Sequence, residues 1–224
     1  MRTIKKVASH IFIDGFGGMT QGLFATLIIG TMIQQIGLLI GGSTGNVIYL
    51  LGKAAAALTS AGIGVGVAVK YGESPLVTVS AAVAAMVGGY AGKITGGTFF
   101  VDGNAVLAGP GEPLGAFIAA FAGITCGHLV SGKTKVDIIV TPVITIGAGS
   151  VVGLLVGPPI SQMMTGLGSI INWATEQRPF IMGIVVSVVM GMVLTLPISS
   201  AALGIILNLY GLAAGAATIG CCCN

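Results

Sequence analysis

Apolar runs of about 20 residues recur along this chain, each long enough to cross a hydrocarbon core of roughly 30 Å as a helix. They occupy residues 16–40, 47–69, 75–91, 113–130, 136–156, 180–196 and 198–220. Inside a bilayer every backbone N–H and C=O must be satisfied by the protein itself, and runs of this length do that as helices. Only 7% of the 224 residues are charged, against roughly 25% in an average soluble domain. Nine basic and six acidic side chains cannot cover a soluble globule of this size. The expectation is therefore an all-α, polytopic transmembrane bundle of about seven spans, embedded in the lipid bilayer as one domain over residues 1–224.

Between residues 160 and 175 lies an eighth, weaker segment containing Gln162, Asn172 and Trp173. It is too polar and too short to span, and reads as re-entrant or interfacial. Arg2, Lys5 and Lys6 precede the first run, which at 25 residues exceeds the roughly 7 to 15 of a signal-peptide core, so it reads as a retained span. With the N-terminus inside, Arg2, Lys5, Lys6, Lys70, Lys133 and Lys135 fall on the cytoplasmic face and Lys93 outside, which satisfies the positive-inside rule. Lys53 falls near the start of the second run, where it can snorkel or point into the bundle. The last run stops at Cys221-Cys222-Cys223-Asn224 without a polar tail, as a C-terminally truncated chain would.

The chain holds 38 glycines. The pairs Gly18/Gly22, Gly37/Gly41, Gly62/Gly66, Gly88/Gly92, Gly123/Gly127 and Gly211/Gly215, and the triple Gly149/Gly153/Gly157, stand four apart, one helix face each. Small residues at that spacing let membrane helices approach closely, which predicts tight packing and favours self-association.

Several chemistries are excluded. A net charge of +3 is too small and dispersed for a nucleic-acid partner. Cys126 and the terminal three cysteines have no zinc-ligand spacing, so neither a metal nor another cofactor is expected. Gly127 to Thr134 fits the phosphate-loop pattern G-x-x-x-x-G-K-[ST], but that motif works between a strand and a helix, and here it ends a membrane run. Two histidines and no G-x-S-x-G nucleophile motif leave no hydrolytic triad, and no catalytic residue is assigned.

The polar stretch from Lys93 to Glu112 is the informative one: it carries Asp102, Asn104 and Glu112 among five glycines and ends in Gly109-Pro110-Gly111-Glu112-Pro113. Pro113 suits a first helical turn. Glu112 reads two ways, as a helix-start charge favoured by the helix dipole or as a carboxylate that accepts hydrogen bonds from the hydroxyls of a sugar. His128, near the other end of the same run, is a packing donor or a proton or substrate contact. Asp102, Asn104, Glu112 and His128 are the candidate substrate-binding residues. Gly72-Glu73-Ser74-Pro75-Leu76 and Gly111-Glu112-Pro113-Leu114 each open a run, and those two runs are expected to be antiparallel, as in an inverted repeat.

From Lys133 on, the chain resembles a known family. Lys135-Val136-Asp137-Ile138-Ile139-Val140-Thr141-Pro142, continuing through Gly157-Pro158-Pro159-Ile160, is similar to membrane-embedded enzyme IIC proteins of the bacterial phosphotransferase system. Within them it looks most like the fructose-type branch and an IIC-like family that includes regulators of the toxin perfringolysin O. Gly111 to Leu114, Leu196-Pro197-Ile198-Ser199-Ser200-Ala201-Ala202 and Thr218-Ile219-Gly220-Cys221-Cys222 resemble that second family. The resemblance implies a permease subunit of the bacterial inner membrane that moves a carbohydrate or small polar solute by alternating access. It also implies separate IIA and IIB phosphocarrier proteins and a homodimer. Gly111-Glu112-Pro113 would stand in for the Gly-Ile-Thr-Glu sugar-binding segment of better-known members, which has no counterpart here. A IIC-like regulator or sensor without coupled phosphorylation is the alternative; an ion-conducting bundle is disfavoured by the scarcity of charge within the runs.

Overall fold

The computed structural model describes residues 14–101, 104–107, 109–194, 209 and 211–222. The chain divides into two compact units, Met1–Ile160 and Ser161–Asn224.

The first unit opens with α1 (Phe16–Ile40), a 25-residue span. Gly41, at φ +65°, ends it and reverses the chain into α2 (Gly42–Ala57), which a break at Leu58 separates from α3 (Thr59–Lys70) by a bend of 53°. After a turn on Gly72 (φ +70°), Ser74 caps α4 (Pro75–Gly89), its Oγ accepting the Val77 N–H at 3.4 Å. A short helix α5 (Ala91–Thr95) leads into a two-stranded hairpin, β1 (Phe100–Val101) antiparallel to β2 (Asn104–Ala105). The chain then enters α6 (Pro113–Val130) and, after a turn on Gly132, α7 (Asp137–Gln177).

Glycine sets how closely these helices lie. A Cβ added to Gly18 would meet the Gly66 carbonyl at 2.6 Å, one on Gly30 the Gly52 carbonyl at 2.9 Å, and one on Gly37 the Gly45 carbonyl at 2.7 Å, so α1 lies against α2 and α3 backbone to backbone. A π-helical turn, Phe24–Ile28, makes that stripe continuous. At about 100° per residue, Gly30 would lie some 80° off the face of Gly22 in an unbroken α-helix. The extra residue that a π turn absorbs brings it back to within about 20°. The same closeness recurs where α4 meets α6, at Gly88 and Gly115, and where α6 meets α7, at Gly123 and Gly149. Gly41 is a reversal and not part of a ladder with Gly37, because its positive φ takes it out of the helix.

The second unit holds the end of α7, then α8 (Pro179–Leu194) and α9 (Gly211–Cys222). Val186, Ala216 and Ala217 form its core, with Ile171, Met182 and Leu209 packed alongside. Ser187 Oγ donates to the Ala216 carbonyl at 2.7 Å. In α9, Gly211 and Gly215 meet nothing within 4 Å.

The described residues thus form an all-α protein with three helices long and apolar enough to span, Phe16–Ile40, Pro113–Val130 and Asp137–Met163, and a fourth if the bent pair α2–α3 counts as one. This differs from seven straight runs for physical reasons. The second run is broken at Leu58; α4, at 15 residues, is about 22 Å long, short of a hydrocarbon core. Residues 160–175 continue α7 as helix through Pro158 and Pro159 and form no separate element. Much of the last run, residues 198–208, lies outside the described residues. Large apolar side chains such as Leu39, Ile138 and Leu155 face outward, as they do in helices surrounded by lipid.

Candidate functional site

The break at Leu58 leaves the last carbonyls of α2 without their helical N–H partners. Each finds another donor. The Ala55 carbonyl takes the Leu58 N–H at 3.2 Å, the Ala56 carbonyl takes Thr59 Oγ1 at 2.6 Å, and the Ala57 carbonyl takes the Tyr90 hydroxyl at 3.1 Å. Thr59, Ser60 and Tyr90 are all fully buried. Tyr90 follows directly on α4, and its ring packs on Phe99 at 5.4 Å between centroids, with Lys93 Nζ 5.3 Å from the ring centre.

Against this break lies the loop 109–112. Ser60 Oγ donates to the Pro110 carbonyl at 3.0 Å, the Tyr90 hydroxyl also reaches the Gly109 carbonyl, and the Glu112 N–H donates to the Gly89 carbonyl at 2.6 Å. Gly111 must be glycine: its φ is +75°, and a Cβ there would stand 2.5 Å from Ser60 Oγ and 3.1 Å from the Gly89 carbonyl. Pro113 then starts α6 with Glu112 as its N-cap residue, although the carboxylate makes no capping hydrogen bond.

Oε1 of Glu112 is buried and has no hydrogen-bond partner; among the described residues the only other such side-chain oxygen is the Ser150 hydroxyl on α7. A buried carboxylate oxygen without a donor is costly. The arrangement is a loop of broken backbone, pinned beside a broken helix, that holds a carboxylate oxygen to which no described group donates.

A profile described as Phosphotransferase system, EIIC matches residues 13–224. The chain belongs to the phosphotransferase system EIIC family. It is thus a multi-pass membrane protein of a sugar-transport family, and membership implies a sugar substrate and IIA and IIB partners. No curated protein and no solved structure matches the chain.

The EIIC chain does not gather all four candidate residues. Glu112 is at the start of α6 and His128 near its end, about 24 Å apart at 1.5 Å per residue. Asn104 is exposed on β2, opposite Val101. Asp102 lies outside the described residues. His128 instead meets Glu73: its Nδ1 is 2.9 Å from one carboxylate oxygen and 3.2 Å from the other. Ser74 Oγ and Ser131 Oγ stand 3.1 Å apart beside them. The two Gly-Glu-Pro-type openings therefore sit at opposite ends of an antiparallel α4–α6 pair, each opening meeting the end of the other helix. Nearby, burial first and the Asp14 charge second push the Tyr71 hydroxyl up to about 12.

The His128 side chain is 71% exposed and that of Glu73 only 9%, so His128→Ala should lower stability by about 1 kcal/mol, the upper end for a surface pair. The melting temperature in detergent checks this; an unchanged value would mean the pair contributes nothing.

The phosphate-loop look-alike is the end of α6 and the turn after it: Gly127 lies within the helix and does not follow directly on a strand, and the Gly132 N–H donates to Asp137 Oδ1 at 2.9 Å. Sequence reasoning singled out Glu112 but missed Ser60 and Tyr90, whose partners lie 50, 33 and 19 residues away.

Proposed function

We propose that this chain is the sugar-translocating subunit of a phosphotransferase system and that Glu112, held by the loop 109–112 at the α2–α3 break, is its substrate acceptor. The observation that carries the reading is the buried, unpartnered Oε1 of Glu112. A sugar hydroxyl supplies the donor it lacks. Depth supports the assignment. From Lys70 to Leu58 is about 18 Å of helix, and from Val130 back to Pro113 about 26 Å. With Lys70 and Lys133 at the cytoplasmic interface, the loop falls within a hydrocarbon core of roughly 30 Å, where broken backbone is tolerated only if it is buried in protein or lines a water-filled cavity.

In this reading the N-terminus is cytoplasmic, seven spans complete the bundle, and a carbohydrate or small polar solute moves by alternating exposure of the Glu112 site. Asn104 belongs to the hairpin beside that site, and Asp102 is kept from the sequence as a further substrate contact. His128 lies at the cytoplasmic end, towards the IIA and IIB proteins. The protein works as a homodimer, for which Gly166, Gly183, Gly211 and Gly215, meeting nothing within 4 Å, leave small-residue faces open. The branch is the fructose-type or perfringolysin O regulator-like one.

A ligand that binds only the folded state raises apparent stability by RT ln(1 + [L]/Kd), about 2.7 kcal/mol at a hundred times Kd. A thermal-shift series with hexoses, hexitols and their phosphates on the detergent-purified chain should therefore show a selective rise for one sugar. No rise at millimolar sugar would overturn the transport reading in favour of a membrane regulator.

A further inference from the structure

Tyr90 carries one hydroxyl proton, and two carbonyls are within its reach: Ala57, the last residue of α2 at the helix break, and Gly109, the first residue of the glutamate loop. A phenol can fully serve only one acceptor at a time. Its ring cannot follow either of them, being fully buried, packed on Phe99 and close to Lys93. The other hydrogen bonds described for the loop have a single donor and acceptor each: Ser60 serves Pro110, Gly89 receives the Glu112 N–H, and the Glu112 carbonyl receives the Ala116 N–H.

We propose that Tyr90 is a positioning residue that couples the loop 109–112 to the α2–α3 break through this shared proton. When the loop leaves, the proton passes wholly to Ala57; when the loop returns, Gly109 competes for it again. Neither movement strands the Tyr90 hydroxyl in a buried site, so the break keeps a donor for the Ala57 carbonyl whether the loop is in place or away. The inference rests on the sugar-site reading for its purpose, but its geometry does not depend on which solute binds.

The test is hydrogen–deuterium exchange of the full chain in detergent, comparing wild type with Tyr90→Phe. Exchange should rise roughly tenfold both in the peptide holding residues 109–114 and in the one holding 57–62, while the middle of α6 stays at the wild-type rate. A rise in only one of the two peptides, in neither, or equally in all peptides would overturn the coupling. Should Tyr90→Phe fail to fold, Ser60→Ala decides: it removes only the Pro110 bond, so it should speed 109–114 and leave Leu58 and Thr59 unchanged, and no change in the loop overturns the proposal.

A second readout separates positioning from bulk stability. In Tyr90→Phe the melting-point rise given by the hexose or hexitol that stabilises wild type should shrink at least threefold at equal concentration, and an undiminished rise would overturn the positioning role. If no sugar shifts wild type, the transport reading fails while the exchange result still judges the coupling.

Discussion

Replacing Glu112 by Gln should abolish saturable sugar binding while leaving membrane insertion and the melting temperature of the unliganded protein close to wild type. The expectation follows from what Oε1 does in the resting protein. It accepts no hydrogen bond, and the loop is pinned by the Glu112 N–H, Ser60 and Tyr90. The amide keeps the size of the side chain but offers one acceptor oxygen and two donors in place of an acceptor-only group. A hydrogen bond to a charged acceptor contributes roughly 1.5–3 kcal/mol, so losing one such bond weakens binding by one to two orders of magnitude. Losing a bidentate contact removes it from a millimolar screen. Isothermal titration with the sugar that stabilises wild type is the measurement; binding of wild-type strength in Glu112→Gln would remove Glu112 from the site.

The largest structural effect is expected from Gly22→Ala. The added Cβ would stand 2.5 Å from the carbonyl carbon of Gly62 and 2.7 Å from the amide nitrogen of Ile63. Both are backbone atoms in the middle of α3, so α1 and α3 must separate along the whole stripe. Overpacking of this kind costs about 1–3 kcal/mol, and with no flexible side chain to yield the upper end applies. Gly147→Ala supplies the contrast: Gly147 lies within α7 with nothing within 4 Å, and alanine there should be neutral or stabilising by up to about 1 kcal/mol through helix propensity. Thermal unfolding of both variants checks the pair, and equal melting temperatures would show that the close approach of α1 and α3 carries no weight.

The two expectations differ in how readily the sequence shows them. The bounds of α1 and α6 were legible because their apolar runs have clear punctuation: Gly41 at one end, Pro113 and the Ser131-Gly132 turn at the others. Glu112 stood out for the same reason in reverse, as an acidic residue where charge is scarce. The break at Leu58 was not legible. Residues 47–69 are apolar on both sides of it, and its free carbonyls are served from Thr59 and from Tyr90, 33 residues further along the chain. Ser60 and Tyr90 carried no local signal, since a small polar residue and a tyrosine near a helix end occur in many membrane runs. The grouping of His128 with Glu112 depended on distance, and the 18 residues of α6 keep them apart. His128 found Glu73 because α4 and α6 run antiparallel, and the repeated Gly-Glu openings had already hinted at that.

The π turn in α1 has a consequence for how the length of this helix can change. It behaves as a single-residue insertion that the helix absorbs within Phe24–Ile28. Deleting one residue there restores the ordinary period, and Gly22 and Gly30 become seven positions apart, about 20° from alignment. Deleting one anywhere else in the span turns the rest of it by about 100° and carries its glycines off α2 or α3. Among all positions in α1, those five are where a shorter relative could lose a residue and keep the same interface.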